Sequence, residues 1–149
     1  DYPGGIGGRW NELTWQEAAQ LPGAEHVGIG RKLLLTLPWS RFEPHPEWVR
    51  PHATRRDRIQ PYAAGTDNGI RVLYFPVAGL VKNSLGFHSV KLDALGTTPW
   101  RAKFVNPRTA VEEQPITIEP DADGSATLTG GPAGPLPSRE DWVMVLTRV

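Results

Sequence analysis

Apolar and polar positions alternate with two different periods along this chain, and the change of period divides it. From Tyr62 onward the pattern is that of strands. Trp100, Ala102 and Phe104 fall on one face of a period-2 run and Arg101, Lys103 and Val105 on the other, as in a half-buried antiparallel strand. Asn106-Pro107 then stops the run, because proline has no N–H for a ladder and holds its predecessor in extended or turn geometry. Asp141 to Leu146 is a more continuous apolar stretch, as in a strand closing a core. Tyr62–Thr66 and Ile70–Val77 flank Asp67-Asn68-Gly69, a strong short-range hairpin signal. Further strands are predicted at Phe87–Asp93, Gln114–Glu119, Ser125–Thr129 and Trp142–Arg148. Asp121 to Gly124 reads as a tight hairpin connection and Gly130 to Pro137 as a Pro/Gly loop. The fold class that follows is mainly β, an antiparallel β-sandwich of about seven strands.

Before Tyr62 the period is helical or absent. Residues 1–13 hold four glycines and are predicted to be a loop; its Gly-x-x-Gly spacing lacks the preceding strand and following Lys-Ser/Thr of a phosphate cradle. Thr14-Trp15-Gln16-Glu17 fits a capping box opening a short helix to about Gln20. Pro22-Gly23 is expected to end it, and Ala24–Leu37 reads as a second helix with Val27, Leu33, Leu34 and Leu37 near one side. Gly28 and Gly30 each cost such a helix about 1 kcal/mol relative to alanine, so packing must hold it. Its leucines offer more apolar surface than a lone surface helix needs. Pro38 to Pro61 is rich in proline and carries Arg50, Arg55, Arg56 and Arg58. It is expected to be a solvated, semi-rigid connector rather than a polyanion site, since Asp57 interrupts the cluster and no base-stacking aromatics accompany it. No internal repeat is evident.

Composition narrows the function classes. Sixteen basic and sixteen acidic side chains cancel, so no global field draws the protein to nucleic acid or an anionic membrane. Glycine and proline, 16 and 15 of 149 residues, favour a turn-rich β protein. The absence of cysteine excludes disulfides and thiolate metal sites, and no apolar run is long enough for a transmembrane helix. No signal peptide is read at the start, and a chain opening at Asp1 is expected to be a processed product or the tail of something longer.

Candidate chemistry is sparse. His26, His45, His52 and His88 lack the spacing of a zinc site, and Asp121/Asp123 lack the later ligands of a calcium loop. There is no Gly-x-Ser-x-Gly elbow, no carboxylate pair stands out, and no metal or cofactor is expected. The tryptophans remain. An indole suits a sugar ring as well as it suits a core. Trp100 and Trp142, in strands, are expected in the core; Trp15, Trp39 and Trp48 are expected to anchor helices to connector; Trp10, in the glycine-rich loop, is the candidate exposed platform.

The order Trp15-x-Glu17-Ala18, Pro22-Gly23-Ala24, a leucine-rich helix to Pro38-Trp39, Pro44, Asn106-Pro107-Arg108-Thr109 and Asp141-Trp142-Val143 resembles the C-terminal part of the apiosidase-like glycoside hydrolases, over nearly the whole chain. In that family a (β/α)8 barrel precedes a small β-sandwich often labelled collagen-binding, a label to which this sequence adds nothing. The resemblance implies that residues 1–40 are the tail of the barrel, 41–60 a connector and 61–149 the accessory sandwich. It implies an upstream catalytic barrel as partner, carbohydrate degradation as the setting, an extracellular or periplasmic location, and catalytic carboxylates outside this segment, so that no residue here is catalytic. Tyr2 and Trp10, at the position of the last barrel loop, would line a sugar subsite. Trp100, Phe104, Asn106, Pro107, Arg108, Asp141 and Trp142 would be structural, with Arg108 available to fix the corner after the strand. Ala110 departs from the family pattern, which usually has glycine there, and alanine resists positive φ. Two rival readings stand beside the bracing role: a polysaccharide- or polymer-binding module acting through exposed aromatics, and a free-standing enzyme.

Overall fold

The computed structural model describes residues 14–67, 69–76, 89–129 and 136–149. Among them are nine strands: β1 (Glu43–Pro44), β2 (Val49–Arg50), β3 (Tyr62–Thr66), β4 (Ile70–Phe75), β5 (Ser89–Leu92), β6 (Trp100–Val105), β7 (Ile116–Ile118), β8 (Ala126–Thr129) and β9 (Trp142–Arg148). They make two antiparallel sheets, one of six strands in the order β1-β3-β4-β9-β6-β7 and one of three in the order β2-β5-β8. The protein is a mainly β sandwich.

Register explains why these segments pair. β6 and β9 align Ala102 with Leu146 and Phe104 with Met144, while β4 and β9 align Leu73 with Met144 and Phe75 with Trp142. One face of the larger sheet is thereby lined with apolar side chains in cross-strand rows. The smaller sheet contributes Val49, Val90, Leu92 and Ala126, and all of these residues are buried in one cluster. Phe104 meets Trp142 edge-on, with ring centroids 6.3 Å apart. Each large side chain so buried contributes roughly 2 to 3 kcal/mol. The hairpin between β3 and β4 pairs Thr66 with Ile70, and Gly69 takes φ +94°, a conformation glycine adopts without strain. Asn68, Val77, Phe87 and His88, and most of the Pro/Gly loop after β8, lie outside the described residues.

Two findings differ from the sequence expectation. The stretch between residues 41 and 60 is more than a spacer: β1 joins β3 through Glu43↔Gly65, β2 joins β5 through Val49↔Leu92, and Trp48 and Val49 are buried. Only long-range pairing makes strands of such short, proline-bordered pieces.

The second difference concerns the helices, α1 (Trp15–Ala18) and α2 (Pro22–Leu35). The capping box is present, with the Thr14 N–H donating to Glu17 Oε2 at 2.7 Å and the Glu17 N–H to Thr14 Oγ1 at 3.3 Å. Pro22 opens α2 rather than ending α1, at the position where a missing N–H costs nothing. Val27 and Leu33 do not share a side, because six residues advance a helix by about 240°. Ile29 and Leu33, with Leu37 beyond the helix end, border crevices shared with Lys103, Val105 and Val145 of the larger sheet. Val27 and Leu34 face the other way. Among the described residues no helix is long and apolar enough to cross a membrane.

Candidate functional site

The corner after β6 is built by one buried side chain. Asn106, 3% exposed, accepts the N–H groups of Arg108 (2.9 Å) and Thr109 (3.3 Å) on Oδ1 and donates from Nδ2 to Glu140 at 2.9 Å. Its own backbone closes the turn, since Asn106 N–H donates to the Val111 carbonyl and Ala110 N–H to the Asn106 carbonyl. Ala110 thereby adopts φ +60°. Arg108 donates from Nε and a terminal nitrogen to Asp141 Oδ2, at 3.1 and 2.8 Å, while Tyr74 donates its hydroxyl to Oδ1 at 3.2 Å. Partial burial, followed by the charge of Asp141, holds the Tyr74 hydroxyl above its usual pKa. The structure thus gathers Asn106, Pro107, Arg108 and Asp141 at one end of the larger sheet and places Trp100, Phe104 and Trp142 in the core. Tyr2 and Trp10 lie outside the described residues.

A second cluster has no counterpart in the sequence reading. Arg71 points inward with Leu73 and Phe75, and its guanidinium lies over Trp48 at 4.1 Å and over Trp100 at 4.9 Å. His45 stacks on Trp48 with centroids 3.7 Å apart, and Arg148 covers Trp100 at 5.3 Å. Arg71 also donates to the carbonyls of Asp93 (2.6 Å) and Ala94. Burial, and then the charge of Arg148, lower its pKa to about 10, so it remains a cation at neutral pH. This stack ties the approach to β2 onto β4 and β6. Its role is structural.

The outward side of α2 has no partner among the described residues. Val27, Leu34, Leu35 and Trp39 are 72, 41, 58 and 53% exposed. With Gly30 and Arg31 they line an open, mainly apolar groove. A Cβ added at Gly23 or Gly30 would meet nothing within 4 Å, so neither glycine is required by contacts among the described residues. Gly23, Val27, Gly30 and Leu34 follow one another at spacings of four, three and four residues, a single stripe along the helix. An exposed apolar patch of this kind marks an interaction surface. Chemistry of another sort is scarce: among the described residues no three His, Cys, Asp or Glu side chains are grouped to hold a metal ion.

No protein-family profile and no curated protein matches this sequence. Solved structures do. The chain is similar to a glycoside hydrolase family 5 protein from Bacteroides vulgatus, at 16% identity and a TM-score of 0.61, over 92% of this chain and 27% of that one. It is also similar to a structure described as a glycoside hydrolase, at 17% identity and a TM-score of 0.63, over 96% of this chain and 29% of that one. The fold is shared with segments of glycoside hydrolases. The chain spans less than a third of the length of either neighbour.

Proposed function

We propose that this chain is the accessory β-sandwich segment of a glycoside hydrolase of the apiosidase-like kind, acting outside the cytoplasm, and that it braces the catalytic barrel through the outward side of α2. The carrying observation is the apolar groove of Val27, Leu34, Leu35 and Trp39, exposed on a helix whose other side borders the sandwich. The neighbours support it, since in each of them most of the chain lies beyond the part this protein matches. Covering four such side chains stabilises an interface by several kcal/mol, roughly 1.5 to 3 kcal/mol for each one fully buried. In this reading the catalytic carboxylates belong to the barrel. The name collagen-binding gains no support from the described residues.

The test is made on the longer gene product that the reading requires. Val27→Asp combined with Leu34→Asp is expected to shorten the thermal half-life of its hydrolase activity. The same pair in residues 1–149 alone should leave the unfolding midpoint nearly unchanged, because neither side chain is buried there. Hydrolysis of glycosides by residues 1–149 alone, or an unchanged half-life in the longer product, would refute the proposal.

A further inference from the structure

The outer face of the larger sheet carries an aromatic pair that the core does not use. Tyr62 on β3 and Tyr74 on β4 are directly paired in register and are 44 and 37% exposed. Their rings lie 6.3 Å apart and tilt 35° from one another. Both hydroxyls are tethered, that of Tyr74 to Asp141 and that of Tyr62 to the Arg58 carbonyl at 2.8 Å. Fixed hydroxyls hold the rings in place. The pair is therefore a pre-set apolar platform rather than two mobile side chains.

The tether on Tyr62 brings a basic loop to one end of this platform. Arg55, Arg56 and Arg58 are exposed, and among the described residues none of their guanidinium groups is matched with a carboxylate. The loop beneath them is ordered by its own bonds: Ala53 N–H to the Pro61 carbonyl (2.8 Å), Thr54 N–H to the Asp57 carbonyl (2.8 Å), and Asp57 N–H to Thr54 Oγ1 (3.0 Å). Asp57 accepts from Gln60 Nε2 at 2.9 Å through one oxygen, and its other oxygen is buried with no hydrogen-bond partner among the described residues. Arg50, Lys91, Lys103 and Arg108 are each matched with an acid. No other four consecutive described residues hold three unmatched cations.

We propose that Tyr62, Tyr74 and the Arg55–Arg58 loop form a binding site for a carboxylate-bearing oligosaccharide, one built from uronic acids. The tyrosine faces take the C–H face of a pyranose ring, and the guanidinium forks take its carboxylates in paired hydrogen bonds. The half-exposed Arg108, at the far end of the pair, offers donors to the ring hydroxyls. Charge complementarity selects this ligand over two others. A neutral glycan leaves three guanidiniums unused, and a nucleic acid needs a longer basic track than one loop on a chain of zero formal net charge. The proposal is independent of the bracing role, because no residue of α2 enters it.

Affinity electrophoresis tests it with the protein run in gels containing polygalacturonate, a neutral galactan or neither, and isothermal titration with a galacturonate hexamer gives the affinity. Retardation is expected in polygalacturonate only. Replacing Arg55, Arg56 and Arg58 together by Gln should weaken hexamer binding at least about tenfold, the loss expected for removing charge-assisted hydrogen bonds. Tyr62→Ala should weaken it several-fold, while Tyr62→Phe, which keeps the ring but loses the bond to the Arg58 carbonyl, should fall between Tyr62→Ala and the parent. Unchanged unfolding midpoints show that the variants are folded. The proposal is overturned by absent retardation, by binding that ignores Tyr62→Ala, or by equal binding to a single-stranded oligonucleotide.

Discussion

Replacing Ala110 by glycine should make this protein more stable, although most substitutions do the reverse. The corner after β6 closes only if residue 110 turns its N–H back to the Asn106 carbonyl while the next residue's carbonyl accepts from Asn106, and this places Ala110 at φ +60°. An L-residue with a Cβ loses about 1 to 2 kcal/mol in that region. Glycine removes the strain but gives the unfolded chain more freedom, an opposing term of about 0.4 to 1 kcal/mol. The methyl group of Ala110 is exposed, so its removal forfeits little burial. The net expectation for Ala110→Gly is a gain of about 0.5 to 1 kcal/mol, or a rise of roughly 1 to 4 °C in Tm for a domain of this size. Equilibrium urea unfolding followed by tryptophan fluorescence measures it, with the slope unchanged and the midpoint raised. A midpoint equal to or below the parent's would show that the turn relieves the strain elsewhere, and the reasoning would fail.

Two further outcomes follow from the polar contacts. Arg71→Lys keeps the charge but loses the planar face between Trp48 and Trp100 and one of two carbonyl bonds; a loss of about 2 to 4 kcal/mol is expected in the same urea assay. Asp93 is held below its usual pKa, first by hydrogen bonds from Arg50 and then by the charges of Arg50 and Lys91. Its folded pKa is the lower one, so the unfolded state binds more protons in acid; its contribution is complete above about pH 4 and is lost as pH falls through the folded value. Asp93→Asn should therefore flatten the acid limb of Tm against pH while changing Tm little in high salt, and an unaltered acid limb would exclude the effect.

The strands with a local signature were legible in the sequence. Trp100, Ala102 and Phe104 alternate cleanly, and proline at 107 ends the run where the corner begins. β1 and β2 were not legible, because two-residue strands beside prolines have no period and exist only through partners many residues away. Arg71 was hidden for a different reason. In Ile70–Phe75 every other residue is apolar, so the inward parity cannot be told from the run itself. The hairpin register groups Tyr62 with Tyr74 on one face and Arg71 with Leu73 and Phe75 on the other, but only the packing of the second sheet makes the latter the inward face. The sides of α2 were mixed because five aliphatic residues surround the helix, and only the sheet beside it shows which of them it borders.

The column running from His45 through Trp48, Arg71 and Trp100 to Arg148 also endows the protein with a built-in optical reporter. Two indoles lie against guanidinium groups, whereas Trp142 meets the ring of Phe104 in an apolar setting. Detachment of residues 45–50 from the sandwich would free Trp48 from Arg71 while leaving Trp142 where it is. The emission of Trp48 and that of Trp142 thus report separate events, so variants that keep one or the other of the six tryptophans distinguish local release of this segment from collapse of the whole fold.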